Sequence, residues 1–318
     1  MPSRREILVG GAAMAVLPGS LLAKASQPAT RVNFEVPANA CDCHTHIHGD
    51  TKEFPMFAGR VYTPEPAMPE EMAQLHKALG MKRVVIVTPS IYGTDNSATL
   101  WGMKARGADA RGVAVIDDKT PESELDAMGR AGVRGIRLNL ATGGGNDPSA
   151  GRQRLERAAE RMKARGWHVQ MYTNLAVISG VKDAVLASPV PVVFDHFGGA
   201  QGALGVTQPG FDALLALMRT GKAYVKISAP YRGSTPPDYA DMAPLAKALI
   251  AANPQRILWG SDWPHPNTSP TAPRTEAGTA PRVPVDDVHV LNLLAGWAPD
   301  PALRRTILVD NPAALYRF

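Results

Sequence analysis

The chain has 318 residues, 45% of them hydrophobic and 20% charged, which is enough apolar material for one large core at the length of a single α/β barrel. Its formal net charge is +5, and no basic run is interleaved with aromatics, so composition excludes a nucleic-acid partner and suits a small anionic substrate. Only two cysteines are present, Cys41 and Cys43, which excludes a disulfide framework.

Residues 1–25 read as a twin-arginine export signal. Arg4 and Arg5 precede an apolar stretch from Ile7 to Leu22, and Ala23-Lys24-Ala25 supplies small residues for cleavage. A periplasmic location follows. The stretch is short for a membrane span, no later one is long enough, and the mature protein is expected without a membrane segment. Residues 26–38 read as a linker into a single domain over 39–318.

Strand-like and helical patterns then alternate. Asn39 to His46 is the first strand, and Pro69 to Leu79 an amphipathic helix. Lys82 to Thr88 is a buried strand, Ser97 to Arg106 a helix, Arg111 to Asp117 the third strand, and Pro121 to Ala131 a helix stopped by Gly132. Val133 to Leu140 is the fourth strand, Ser149 to Arg165 a long helix, Trp167 to Tyr172 the fifth strand, and Val177 to Ala187 a helix. Pro191 to His196, Ala223 to Ser228 and Arg256 to Asp262 complete the strands. Phe211 to Thr220 and Asp238 to Ala252 are the helices between them, and Val288 to Gly296 and Pro301 to Leu308 close the chain. Eight strand-then-helix units predict a (β/α)8 TIM barrel. The alternative is an open doubly wound sheet, which lacks the expected glycine-rich turn after its first strand.

A barrel of this kind carries its chemistry at the C-terminal strand ends. The polar groups there are His44, His46, Ser90, Arg137, Asn139, Tyr172, His196, Lys226, Arg232 and Asp262. His44 and His46, two apart on a strand, share one face, which puts Cys41 and Cys43 on the other face behind the barrel wall. His76, His168 and His289 fall away from the mouth and read as structural, whereas His48 and His265 lie in mouth loops. The segment from Trp263 to Pro284 is a long Pro/Thr/Ala-rich loop that follows Asp262 directly and reads as a lid or a surface insertion.

Cys41-Asp42-Cys43-His44-Thr45-His46, Asp195-His196-Phe197-Gly198-Gly199, Gly260-Ser261-Asp262-Trp263-Pro264-His265 and Asp310-Asn311-Pro312-Ala313 together resemble the amidohydrolase superfamily, in the branch of pyrone dicarboxylate and sugar lactonases. The likeness spans residues 39–318. It implies a hydrolase that opens a carboxylated or sugar-derived lactone. Asp262 is the implied base, and His44, His46 and His196 polarise the carbonyl. Tyr62, Ser90, Arg137, Tyr172 and Arg232 are the implied substrate contacts. Metal-dependent members bind zinc through the two strand-one histidines, a histidine after strand five and the strand-eight aspartate. Here strand five offers Tyr172 and strand four Arg137, so the resemblance implies no cofactor, with zinc on His44, His46 and Asp262 as the alternative. The lactonase pattern has a second arginine after strand four. This chain has Thr142-Gly143-Gly144-Gly145-Asn146 there, which favours a substrate with one carboxylate. A zinc hydrolase or decarboxylase, a lactone isomerase and a non-catalytic binder are the other readings.

Overall fold

Runs such as Val84-Val85-Ile86-Val87 are stiff at χ1 and apolar on both faces, which suits a strand covered on both sides. In the computed structural model the described residues are 25, 27–142, 147–235, 237–269 and 278–318. The strands are β1 (Cys41–Thr45), β2 (Arg83–Val87), β3 (Ala110–Ala114), β4 (Val133–Asn139), β5 (His168–Tyr172), β6 (Val192–Phe194), β7 (Ala223–Ser228) and β8 (Ile257–Gly260). They pair in parallel, in chain order, as one eight-stranded sheet. The expected (β/α)8 barrel is formed.

The helices are α1 (Pro69–Leu79), α2 (Ser97–Arg106), α3 (Glu122–Ala131), α4 (Pro148–Lys163), α5 (Leu175–Gly180), α6 (Lys182–Ala187), α7 (Phe211–Arg219), α8 (Ala243–Ala252), α9 (Asp287–Trp297), α10 (Pro301–Arg305) and α11 (Asn311–Tyr316). Local chemistry sets their ends. In α1, Pro69 opens the helix, Glu71 Oε2 accepts from Met68 N at 2.9 Å, and Gly80 closes it in the left-handed region at φ 70°. The single helix expected over 177–187 is two, α5 and α6. Gly180 lets Pro148 of α4 press in where a Cβ would meet its ring at 2.4 Å, and the helix breaks there. The helix expected from Asp238 begins at Ala243, because Tyr239 sits at φ 51°.

β1 and β8 close the barrel. Asp262 N donates to His44 O and His46 N donates to Trp263 O, both at 2.8 Å. Gly260 permits this seam, since a Cβ there would lie 2.7 Å from the His44 Cβ and 2.9 Å from its backbone N. Cys41 and Cys43 are not behind the wall as expected. They pack with Val85, Val87, Val113, Val193, Tyr224 and Leu258, from strands all around the ring, and so fill the barrel interior. The cause is a bulge: Asp42 pairs with Val84 and Thr45 with Ile86, three steps on β1 against two on β2. The cysteines and the histidines therefore share the inside.

The bottom is closed by the chain end. Tyr316 is buried and packs edge-on to His168, with ring centroids 5.2 Å apart. Asn311 Nδ2 donates to Pro254 O and Ile257 O, which ties the tail motif to the start of β8. Residues 27–38, expected as a linker, hold no helix or strand but are fastened to the barrel: Asn33 N donates to Asn292 Oδ1 at 2.9 Å, and Arg304 lies over the Phe34 ring. The export-signal reading falls almost wholly outside the described residues. Among those described, no helix is long and apolar enough to cross a membrane.

Candidate active site

The first-strand motif builds the floor of the mouth. Asp42 points outward and accepts from Ser261 Oγ at 2.6 Å, Ser261 N at 3.0 Å and His44 N at 3.1 Å, with His76 Nε2 at 3.3 Å. This buried carboxylate locks β1, α1 and the end of β8 together, and it makes His76 structural as expected. Beyond the bulge, His44 and His46 face inward.

Asp262 is fully buried and its two oxygens are used differently. Oδ2 accepts from the Tyr231 hydroxyl at 2.6 Å and from Arg232 through Nε at 2.8 Å and Nη2 at 2.7 Å. Oδ1 has no hydrogen-bond partner and faces His46 Nε2 at 3.4 Å, His44 Nε2 at 3.5 Å and His196 Nε2 at 3.8 Å. The four residues predicted as catalytic thus converge on one point. His46 Nδ1 lies 2.7 Å from Val87 O, an acceptor only, so Nδ1 carries a hydrogen and Nε2 is turned to Asp262. His196 Nδ1 is held by Ser228 Oγ at 2.9 Å.

A second carboxylate lies beneath. Asp195 Oδ2 accepts from Gln170 Nε2 at 3.0 Å and Arg137 Nε at 3.2 Å, and its Oδ1 lies 3.2 Å from His44 Nδ1 and 3.4 Å from Lys226 Nζ. Lys226 Nζ also donates to Gln170 Oε1 at 2.7 Å and lies 3.1 Å from His44 Nδ1. Lys226, expected at the mouth, is wholly buried one layer lower, where its neighbours are protein groups. Asp195, Gln170 and Tyr231 were absent from the sequence-derived site. The parity of β5, which turns His168, Gln170 and Tyr172 to one side, was the signal that could have placed Gln170 inside.

Burial and charge set the protonation states. Burial, with Lys226 alongside, pushes His44 down to about 3, and burial pushes His48 and His168 to about 3 as well. Burial also drives His196 well below its ordinary value. Burial alone would raise the Asp262 carboxyl, but Arg232 and the surrounding imidazoles overcome it and hold Asp262 well below the usual carboxylate range. Asp195 is likewise held down against its burial by His44, Lys226 and Arg137. The site at neutral pH therefore pairs two carboxylates with uncharged His44 and His196.

Of the predicted substrate contacts, Tyr172 lies between two guanidiniums, Arg137 at 5.1 Å and Arg232 at 5.9 Å from its ring. Tyr62 is buried over the mouth with its hydroxyl beside Ser90 and within electrostatic reach of Arg232, Arg137 and Asp262. Asn139 turns aside to Thr142 at 3.0 Å. His48 stacks on His46 at 6.4 Å, and His265 pairs with buried Asp287 at 3.0 Å. A cavity of about 170 Å³ beside the histidines is lined by Tyr172, Thr173, His196, Gly199, Arg232 and Met242, among others. Backbone strain gathers here: His196, Ala229, Asp262 and His265 all have φ between 49° and 65°. The long loop after β8 is described only at its two ends. There Ala280 N donates to Thr63 O at 2.7 Å, and Arg282 pairs with Glu65 at 3.2 Å, which fastens it to the segment that carries Tyr62.

The described donors fit a metal ion. His44, His46 and Asp262 each offer one atom to a common point, and His44 Nε2 and Asp262 Oδ1 have no partner. The 3.4 and 3.5 Å separations match the edge of about 3.4 Å expected for tetrahedral zinc with bonds of about 2.0–2.1 Å.

Fold and site together define a (β/α)8 hydrolase-type centre built from imidazoles and carboxylates at the strand ends. The chain belongs to the amidohydrolase family, whose model matches residues 41–318. It is 33% identical over 297 residues to 2-pyrone-4,6-dicarboxylate hydrolase of Comamonas testosteroni, covering 90% of this chain and 93% of that protein. It is 30% identical over 292 residues to D-galactarolactone isomerase of Agrobacterium fabrum, covering 91% and 94%. A crystal structure of an Agrobacterium tumefaciens protein in its apo form superposes with a TM-score of 0.74 at 29% identity, covering 89% of this chain and 97% of that one.

Proposed function

We propose that this protein opens the ring ester of a small lactone that carries an anionic group. The observation behind the reading is Asp262 Oδ1, a buried, unpartnered carboxylate oxygen facing three imidazoles. Asp262 takes a proton from water as the water oxygen bonds to the carbonyl carbon. The ring C–O bond then breaks, and the departing ring oxygen takes that proton back from Asp262. His44 and His196, uncharged, orient the carbonyl and water by hydrogen bonding, and Tyr62 and Ser90 enclose the ring. The relatives named as a pyrone dicarboxylate hydrolase and a lactone isomerase support lactone chemistry. A substrate hydroxyl in place of water would give isomerisation with the same residues. A panel of carboxylated and sugar-derived lactones read with a pH indicator separates these outcomes, since hydrolysis releases a proton per turnover and isomerisation releases none. Turnover of none of them would sink the reading.

A second reading, zinc dependence, is favoured by His44 Nε2, His46 Nε2 and Asp262 Oδ1 gathered around a common point, with Oδ1 at 3.5 and 3.4 Å from the two nitrogens. His44, His46 and Asp262 would hold the ion, with His196 nearby. Zinc there would polarise the carbonyl and lower the pKa of water. Metal analysis of the purified protein, with activity measured after chelation and after zinc is returned, tests this against the metal-free expectation. We also propose that residues 1–25 export the protein, so fractionation should recover a shortened chain from the periplasm.

A further inference from the structure

Beneath the mouth, one fully buried lysine reaches the Nδ1 side of His44. Lys226 Nζ lies 3.1 Å from His44 Nδ1, 2.7 Å from Gln170 Oε1 and 3.4 Å from Asp195 Oδ1. His44 Nδ1 also lies 3.2 Å from Asp195 Oδ1, so an amine and a carboxylate compete for one ring nitrogen. The two contacts demand opposite tautomers of an uncharged imidazole. A hydrogen on Nδ1 serves Asp195 and leaves a lone pair on Nε2, which is the form that binds a metal. A lone pair on Nδ1 accepts from Lys226 and puts the hydrogen on Nε2.

The surrounding groups favour Lys226. Asp195 Oδ2 accepts from Gln170 Nε2 at 3.0 Å, and a carboxylate only accepts, so the amide turns Oε1 to Lys226. Lys226 therefore donates to Gln170, and a further ammonium hydrogen is left for His44 Nδ1. Asp195 Oδ1 has no hydrogen-bond partner among the described residues, so its 3.2 Å approach to His44 is an electrostatic contact not aligned with a ring N–H.

We propose that Lys226 is a positioning residue that holds His44 in the tautomer with its hydrogen on Nε2, which makes His44 a donor to the lactone carbonyl and weakens its hold on zinc. Nε2 is the nitrogen that faces the reacting centre, 3.5 Å from Asp262 Oδ1. A buried ammonium directly behind the ring also repels a metal ion on its far side. Without Lys226, Nδ1 is free to donate to Asp195, and a carboxylate behind an imidazole is the pairing that supports a zinc ligand. Only the carbonyl as partner of Nε2–H rests on the lactone reading; the tautomer and the zinc affinity are independent of it.

The tautomer is read from nitrogen-15 spectra of histidine-labelled wild type at neutral pH, with the His44 signals identified by their loss in His44→Gln. Nε2 should appear as the protonated nitrogen and Nδ1 as the bare one, and Lys226→Met should exchange the two. Zinc chloride is then titrated calorimetrically into both proteins after chelator treatment. Lys226→Met should bind zinc at least about tenfold more tightly, the size of effect that groups behind a ligand exert. On a lactone that wild type turns over, Lys226→Met without added metal should lower kcat about tenfold or more, with KM little changed. A wild-type His44 with its hydrogen on Nδ1, equal zinc affinity in the two proteins, or an unchanged kcat overturns the proposal. If Lys226→Met does not fold, the wild-type spectrum decides, since Lys226 is the one donor to Nδ1 among the described residues. If no lactone is turned over, the lactonase reading fails, and the spectra and the zinc titration still decide the role of Lys226.

Discussion

At Asp262 one oxygen is saturated by Tyr231 and Arg232 while the other faces the Nε2 atoms of His44, His46 and His196. Asp262→Asn keeps the shape and removes the proton acceptor, so kcat should fall at least about 10²-fold in steady-state assays. Sequence alone suggests that this variant leaves the fold untouched. The structure revises that, because Arg232 would lose a buried counter-charge. Breaking such a pair costs about 3–5 kcal/mol, and the remaining amide oxygen should keep the loss below that range. Denaturant unfolding at neutral pH checks the second half. A variant with full turnover would remove Asp262 from the mechanism.

At the scale of elements, the seam between β1 and β8 is the most exacting contact. Gly260→Ala would place a methyl carbon 2.7 Å from the His44 Cβ, so one strand must shift. Overpacking of this kind costs about 1–3 kcal/mol. The displaced His44 should also lower kcat, and a variant with wild-type melting and turnover would show the seam to be slack. Most elements were legible in the sequence. α1 and β7 fall where hydrophobic period and capping residues put them, because those signals are local. The inward turn of Cys41 and Cys43 was not, since strict alternation assumes a regular strand, and a bulge is a property of the pair β1–β2. The division of α5 from α6 depends on Pro148, distant in sequence. The convergence of His44, His46, His196 and Asp262 was readable from their positions at strand ends. The layer of Asp195, Gln170 and Lys226 depends on depth along the barrel axis, which periodicity does not encode.

For the whole molecule, buried uncharged histidines make stability depend on pH. His44, His48 and His168 are each pushed to about 3 by burial, whereas an unfolded chain protonates them near pH 6.5. Between those values the unfolded state binds more protons, so stability is present above about pH 6.5 and declines as pH falls towards 3. Each group contributes about 1.4 kcal/mol per pH unit in that window. His168 lies at the barrel bottom against Tyr316, away from the mouth. His168→Leu should therefore flatten the slope between pH 6.5 and 5 by about one group's share, read from urea unfolding at both pH values. An unchanged slope would mean that His168 titrates normally.

The seam has a further consequence in time. Asp42 and Ser261 are bonded across 219 positions of chain, and His44 and Asp262 meet across a similar span. Contacts this remote in sequence close late in folding, because the ends of a long loop must find each other first. A nascent or truncated chain that lacks the last strand has no carboxylate opposite its histidines. During refolding from denaturant, recovered turnover should follow the slowest phase and lag behind far-ultraviolet circular dichroism. Catalytic competence is then a timer for barrel closure, and a partly folded chain does no chemistry.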